Sequence, residues 1–172
     1  ANFFKAILPG DLDAIVVYLR SLPPVRNALP APVYRAPVER EPFALAERGF
    51  TEADMKDNVR RGAYLATIGH CLECHTPVGP PGSGVDFKNS LGKGGREFKG
   101  PWGVSVSRNI TSHREKGIGA WSDAEIKRAI TDGVRKDGSR LKPPMGYEFY
   151  KNMTDGDLDA IVAYLRTVPP KE

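Results

Sequence analysis

A chain of 172 residues has room for one domain, or one and a fraction. Its longest apolar run is the six residues 14–19, far short of the ~20 that a helical bilayer crossing needs. A formal net charge of +4 favours acidic partners and is too small to point to nucleic acid. No basic-then-apolar leader opens the sequence, as expected of a processed chain or a fragment.

The first predicted element is a helix over 11–22. Leu12, Ile15, Val16 and Leu19 recur at helical spacing and form one apolar stripe. The stretch 10–24 reads GDLDAIVVYLRSLPP, and 156–170 reads GDLDAIVAYLRTVPP, with 12 of 15 positions identical at an offset of 146. Phe3 aligns with Phe149 and Lys5 with Lys151 at the same offset. Two unrelated amphipathic helices do not share that many identities and the same Pro-Pro stop. Residues 1–24 therefore read as the tail of a preceding repeat, and the position matching Met145 falls just before Ala1. The helix is an orphan whose apolar face needs a cover. Folding back onto the rest of the chain would supply one, and so would dimerisation or exchange with a second copy.

Residues 25–57 form a Pro-rich linker and a helix lead-in, with Pro30, Pro32, Pro37 and Pro42 favouring an extended, stiff connector. A helix is expected to start near Thr51 or Asp54. Its apolar face, through Met55, Val59, Gly62, Ala63 and Ala66, leads into Cys71.

Cys71-Leu72-Glu73-Cys74-His75 reads C-x-x-C-H, the signature of covalent haem c attachment. Thiols three positions apart share one side of a helical turn and can form thioethers with both haem vinyl groups. The adjacent imidazole is then placed to ligate the iron. A thioredoxin-like motif would need a βαβ pattern, which is lacking here. A structural zinc site would need four ligands, and these two cysteines are the only ones.

A glycine-rich loop over 78–104 follows. Trp121-Ser122-Asp123-Ala124-Glu125-Ile126 predicts a helix start, with Ser122 as cap, Glu125 completing a capping box and Trp121 stapled to Ile126. That helix should end near Gly133. Pro143-Pro144-Met145-Gly146 is a rigid loop able to direct one thioether at a metal. A gap-filling core methionine is the alternative for Met145. Met153 reads as a staple onto Leu158, Met55 as core, and His113 as a solvated loop residue. His70 lies on the wrong side of the motif for a sixth ligand. The last helix opens at Thr154 and ends before Pro169.

Over 58–172 the chain resembles class I cytochromes c, and more narrowly the cytochrome c domains and subunits of membrane-associated alcohol, aldehyde and sugar dehydrogenases. The stretches RRGAYLATIGHCLECHTP, GPWGVSVSRNIT, GIGAWSDAEIKRAI, LKPPMGYEFY and MTDGDLDAIVAYLRTVPP carry the resemblance. It implies an all-α fold around one covalent haem c, a cytochrome c domain over 58–172, and a cytochrome c-like origin for the 1–24 repeat. It matches Gly62 and Tyr164 to a crossing of the first and last helices, and Met145 to the second axial ligand. It places Trp121 beside a haem propionate; Arg108 and Asn109, in a polar loop, are candidates for the same role, and Trp102 is a further candidate haem neighbour. It gives Pro101 the carbonyl that receives the proximal histidine. For Trp121 and Trp102, ordinary packing is an equal alternative.

The expected function is periplasmic electron transfer at a His75/Met145-ligated haem, from a dehydrogenase toward an oxidase or another cytochrome. Residues 80–142 hold 13 Lys and Arg against seven Asp and Glu, suiting either docking to an acidic redox partner or a solvated loop region. The alternative function is a ligand-binding or catalytic haem with an open sixth position. A third reading is a structural subunit whose haem anchors the fold.

Overall fold

The structure is a computed structural model and describes residues 4–31, 33 and 49–172. After a 3-10 turn at Phe4–Ala6 comes α1, Pro9–Ser21. Pro9 opens it at a position where its missing N–H costs nothing, Asp11 lies in the first turn and Arg20 in the last, each suiting the helix dipole. None of its residues is buried. Residues 23–31 run on without helix or strand, and the rest of the Pro-rich connector, 32 and 34–48, lies outside the described residues.

The helix expected from Thr51 or Asp54 is two elements. Thr51 and Asp54 form a capping box over a 3-10 helix, Glu52–Lys56. Asp57 then adopts an extended backbone, and its carboxylate accepts from the Arg60 amide at 2.8 Å, capping a fresh helix α2, Asn58–Ile68. The haem motif is a single turn, α3, Cys71–Cys74. Next come α4, Phe87–Ser90, and two short strands, β1, Glu97–Gly100, and β2, Gly103–Val106. The strands pair antiparallel with Glu97 opposite Val106 and Gly100 opposite Gly103.

That hairpin corrects the all-α expectation: the fold is mostly helical with a small sheet inside the predicted glycine-rich loop. The cause is visible in hindsight. Phe98 and Ser105 face each other in a short β-prone run, and Pro101-Trp102 forms the turn between the strands.

The helix α5, Asp123–Asp132, starts at Ser122 with the expected capping box and ends at Gly133. A turn of helix, α6, Tyr147–Tyr150, follows the Met145 loop. The last helix, α7, Asp155–Thr167, is capped by Thr154 and stops before Pro169.

The core forms where α2 crosses α7. A Cβ on Gly62 would lie 1.9 Å from the Ala160 carbonyl oxygen and 2.7 Å from the Tyr164 Cβ. The absent side chain is what lets the two backbones touch, as the resemblance implied. Around this point Ala63, Ala66, Leu158, Ile161, Val162 and Leu165 are buried. Each large aliphatic among them contributes roughly 1.5–3 kcal/mol. Leu72, Ile118, Ile126 and Val168 extend the same core to the motif and to α5. Arg61 pairs with Asp157 across the crossing at 2.5 Å.

The C-terminal tail is tied back to the loop after β2. The Ser112 amide donates to the Val168 carbonyl at 3.1 Å, and the Lys171 amide donates to the buried Thr111 hydroxyl at 3.2 Å. No helix among the described residues is long and apolar enough to cross a membrane.

Candidate haem-binding site

α2 delivers the chain to the motif through a sharp reversal. His70 sits in the left-handed region at φ 57°, and its Nδ1 lies 2.7 Å from the Glu73 carboxylate. Asn and Asp relieve such a conformation with local hydrogen bonds, and the His70–Glu73 contact does so here. The next four residues make one helical turn, and the His75 amide closes it on the Cys71 carbonyl at 3.0 Å. Cys71 and Cys74 are both free of a disulfide and partly buried. Burial pushes the Cys71 thiol up to about 12 and raises Cys74 as well. Reactive C-x-x-C redox thiols shift the other way, so this environment does not fit a thioredoxin-like role. Among the described residues no group of three or more His, Cys, Asp or Glu side chains can hold a bare metal ion.

His75 Nδ1 lies 2.6 Å from the Arg108 carbonyl oxygen. A carbonyl only accepts, so Nδ1 carries the proton and Nε2 is left with its lone pair. Burial holds the imidazole below its usual pKa, which favours the neutral, ligating form. The carbonyl that fixes the ring is thus Arg108's. The expectation for Pro101 is corrected: Pro101 sits exposed at the turn between β1 and β2. Gly94 explains how the 107–109 backbone comes so close. Its amide donates to the His75 carbonyl at 2.7 Å, and a Cβ on it would lie 2.5 Å from the Arg108 carbonyl carbon. At φ 79° the residue is also in the glycine region.

The Met145 loop is held at both ends against this motif. Ser105 on β2 donates its hydroxyl to the Pro143 carbonyl at 2.5 Å. Beyond the methionine, the Tyr150 hydroxyl on α6 donates to the Gly69 carbonyl at 2.9 Å, just before Cys71. Burial, reinforced by the neighbouring Cys71 and Cys74, pushes Tyr150 up to about 12, which keeps its proton on this bond. The unexpected hairpin therefore has a job, since β2 anchors the start of the loop.

The other expected residues divide. Asn109 Oδ1 accepts from the Thr111 amide and hydroxyl at 2.9 and 2.6 Å, while Nδ2 donates to the Lys171 carbonyl at 2.7 Å. Its side chain locks the loop that carries the Arg108 carbonyl. Trp121 packs half-buried against the core beside Ile126, in keeping with the staple. Its backbone carbonyl receives Arg166 at 2.6 Å. Trp102 folds over Gly100 at the hairpin tip and stays partly exposed.

Three residues escaped the sequence reading. Tyr150 and Ser105 are the two anchors of the methionine loop. Arg96 donates to the Glu73 carbonyl within the motif at 2.9 Å and stacks over Phe98. The string LKPPMGYEFY contains Tyr150, but nothing local says where its hydroxyl goes. His113 is no solvated loop residue: its Nδ1 accepts from the Glu115 and Lys116 amides at 3.2 and 3.1 Å, organising a turn.

Two free thiols on one turn, followed by an imidazole whose Nδ1 is already fixed, fit a covalently attached haem with Nε2 toward the iron. Comparison with known proteins agrees. The cytochrome c family profile matches residues 59–169. The cytochrome c subunit of the quinone-dependent alcohol dehydrogenase of Gluconacetobacter polyoxogenes is 41% identical over 106 residues, covering 62% of this chain and 21% of that protein. The gluconate 2-dehydrogenase cytochrome c subunit of Pantoea cypripedii is 38% identical over 106 residues, covering 62% of this chain and 22% of that protein. The fructose dehydrogenase cytochrome subunit of Gluconobacter japonicus is 34% identical over 112 residues, covering 65% and 21%. The matched region thus spans about a fifth of the length of each of these three relatives. With most of its length matched by that profile, the C-x-x-C-H turn included, this chain belongs to the cytochrome c family.

Proposed function

We propose that this chain is a periplasmic electron carrier with one haem c, attached through Cys71 and Cys74 and ligated by His75 and Met145. It takes electrons from a dehydrogenase and passes them toward a respiratory acceptor. The observation that carries this reading is the His75–Arg108 contact, which presets the imidazole as a neutral ligand directly after two free thiols. Haem c, when bound, supplies a one-electron ferric/ferrous couple, and methionine ligation raises its potential.

The residues here supply position and environment. Arg108 and Gly94 fix the His75 ring. Ser105 and Tyr150 hold the methionine loop from both sides, so that Met145 has a short, stiff approach. The α2–α7 core and Trp121 give the site its apolar wall. The dehydrogenase names of the relatives support the donor class. Attachment of haem c outside the bacterial cytoplasm supports the periplasm.

Met145→Ala in the haem-loaded protein tests the sixth ligand. The expected result is a lower potential, an altered ferric spectrum and new binding of carbon monoxide by the reduced form. A variant with the parent's spectrum and potential would overturn the assignment.

A further inference from the structure

The carbonyl that fixes His75 is itself held by a distant segment. Arg108 gives its oxygen to the imidazole, and the next side chain, Asn109, reaches Lys171, 62 positions on. The path is short and polar. Asn109 Nδ2 donates to the Lys171 carbonyl at 2.7 Å, and the Lys171 amide donates to the Thr111 hydroxyl at 3.2 Å. That hydroxyl donates in turn to Asn109 Oδ1 at 2.6 Å and accepts from the His113 amide at 3.3 Å. A threonine hydroxyl has one O–H and two lone pairs, so every bond it can make is made. Thr111 is also fully buried, which makes any lost partner costly.

The sequence after α7 explains how Lys171 arrives there. Val168 ends the helix in an extended conformation, and its carbonyl takes the Ser112 amide at 3.1 Å. Pro169 and Pro170, whose rings fix φ, then carry the chain onward as a stiff strut. Lys171 makes both contacts through backbone atoms, so its N–H and C=O matter here and its charge does not. From the other side, Gly92 accepts the Ile110 amide at 2.9 Å and donates its own to the buried Thr76 hydroxyl, next to His75, at 3.0 Å. The loop carrying the Arg108 carbonyl is thus clamped between the tail and the segment after the motif.

We propose that Lys171, acting through Asn109 and Thr111, is a positioning residue for the imidazole of His75. It holds the Arg108 carbonyl on Nδ1 and so sets how much electron density His75 offers the iron. A ring whose N–H is engaged is the stronger base, which favours ferric iron. Loosening the tail weakens that bond and raises the potential. The inference rests on His75 as a ligand and is independent of Met145.

The test compares Lys171→Pro with Lys171→Ala in the full haem-loaded chain. Both lose the same charge, but only proline loses the amide that Thr111 receives. Lys171→Ala should match the parent. Lys171→Pro should speed exchange of the His75 Nδ1 proton about tenfold or more, read by NMR of the ferrous form, and should raise the midpoint potential. Thr111→Val should act in the same direction, and Thr111→Ser should restore the parent's values. Equal exchange rates and potentials in the proline and alanine variants would overturn the proposal, even with a lower thermal midpoint for proline, because the tail would then be packing alone. An alanine variant shifted as far as the proline one would also overturn it, assigning the effect to charge. A parent whose His75 ring signals carry no haem ring-current shift would overturn the ligand reading and this inference with it. Failure of Met145 as ligand would instead alter the visible spectrum and leave the comparison of the two variants intact.

Discussion

His75 shows how one side chain's chemistry is set by a backbone group 33 positions away. The acceptor is a carbonyl, so the proton is committed to Nδ1 and Nε2 keeps its lone pair. Tyr150 anchors the chain just after Met145. Tyr150→Phe removes a partly buried hydrogen bond to Gly69 and nothing else of the ring. It should cost about 1 kcal/mol of stability. It should also loosen Met145, so the midpoint potential and the ferric methionine band should shift beyond what the stability loss alone causes. Denaturant unfolding and potentiometry on the same haem-loaded sample check both. The motif residues were legible in the sequence because their chemistry is written in consecutive positions. The Arg108, Ser105 and Tyr150 contacts were not. They join residues 33, 38 and 81 positions apart, and no local pattern encodes which carbonyl a ring nitrogen or hydroxyl will meet.

At the level of elements, capping chemistry was the most readable signal. Ser122 with Glu125, Thr154, and Thr51 with Asp54 all start helices as their sequences imply. The exception is instructive. Asp57 is a second, competing cap, and it breaks the predicted helix into a 3-10 segment and α2. The hairpin was hidden because its strands are four residues each and sit among glycines that also suit an irregular loop. Gly62 was legible as a close approach, and the structure gives that approach a distance. Gly62→Val puts carbon where the Ala160 carbonyl already is, so α2 and α7 must separate. The expected loss is about 3 kcal/mol or more, at the upper end of overpacking costs. Thermal unfolding would check it, and a midpoint within about 2 °C of the parent would contradict the crossing.

For the whole molecule, the mostly helical class and the cytochrome c match over 59–169 were expected from the haem motif and the family resemblance, but the fate of α1 was not. A stripe that could cover a core does not say which core, and among the described residues it covers none. Charge belongs to the same scale. The excess of Lys and Arg over 80–142 is not all available to a partner. Lys127 is paired with Asp159, whose hydrogen bond raises its pKa, and Arg128 donates to the Arg135 carbonyl at 3.1 Å. Lys93 and Lys99 are exposed, on the segment that leads from the haem motif through β1. Charge reversal of both should slow reduction by an acidic redox partner several-fold at low ionic strength. The effect should fade near 1 M salt, where screening shortens to ~3 Å. Stopped-flow rates across a salt series check this, and a low-salt rate equal to the parent's would remove docking from the role of this face.

The central claim is a haem iron closed on both sides by His75 and Met145. It is tested most directly by the visible spectrum of the intact haem-loaded protein, oxidised and then reduced under carbon monoxide. An iron held by His75 and Met145 should show a methionine–iron charge-transfer band at the red end of the ferric spectrum and no change in the ferrous spectrum on adding the gas. A ferric spectrum without that band, together with ready carbon monoxide binding, would contradict it and make this a ligand-binding haem.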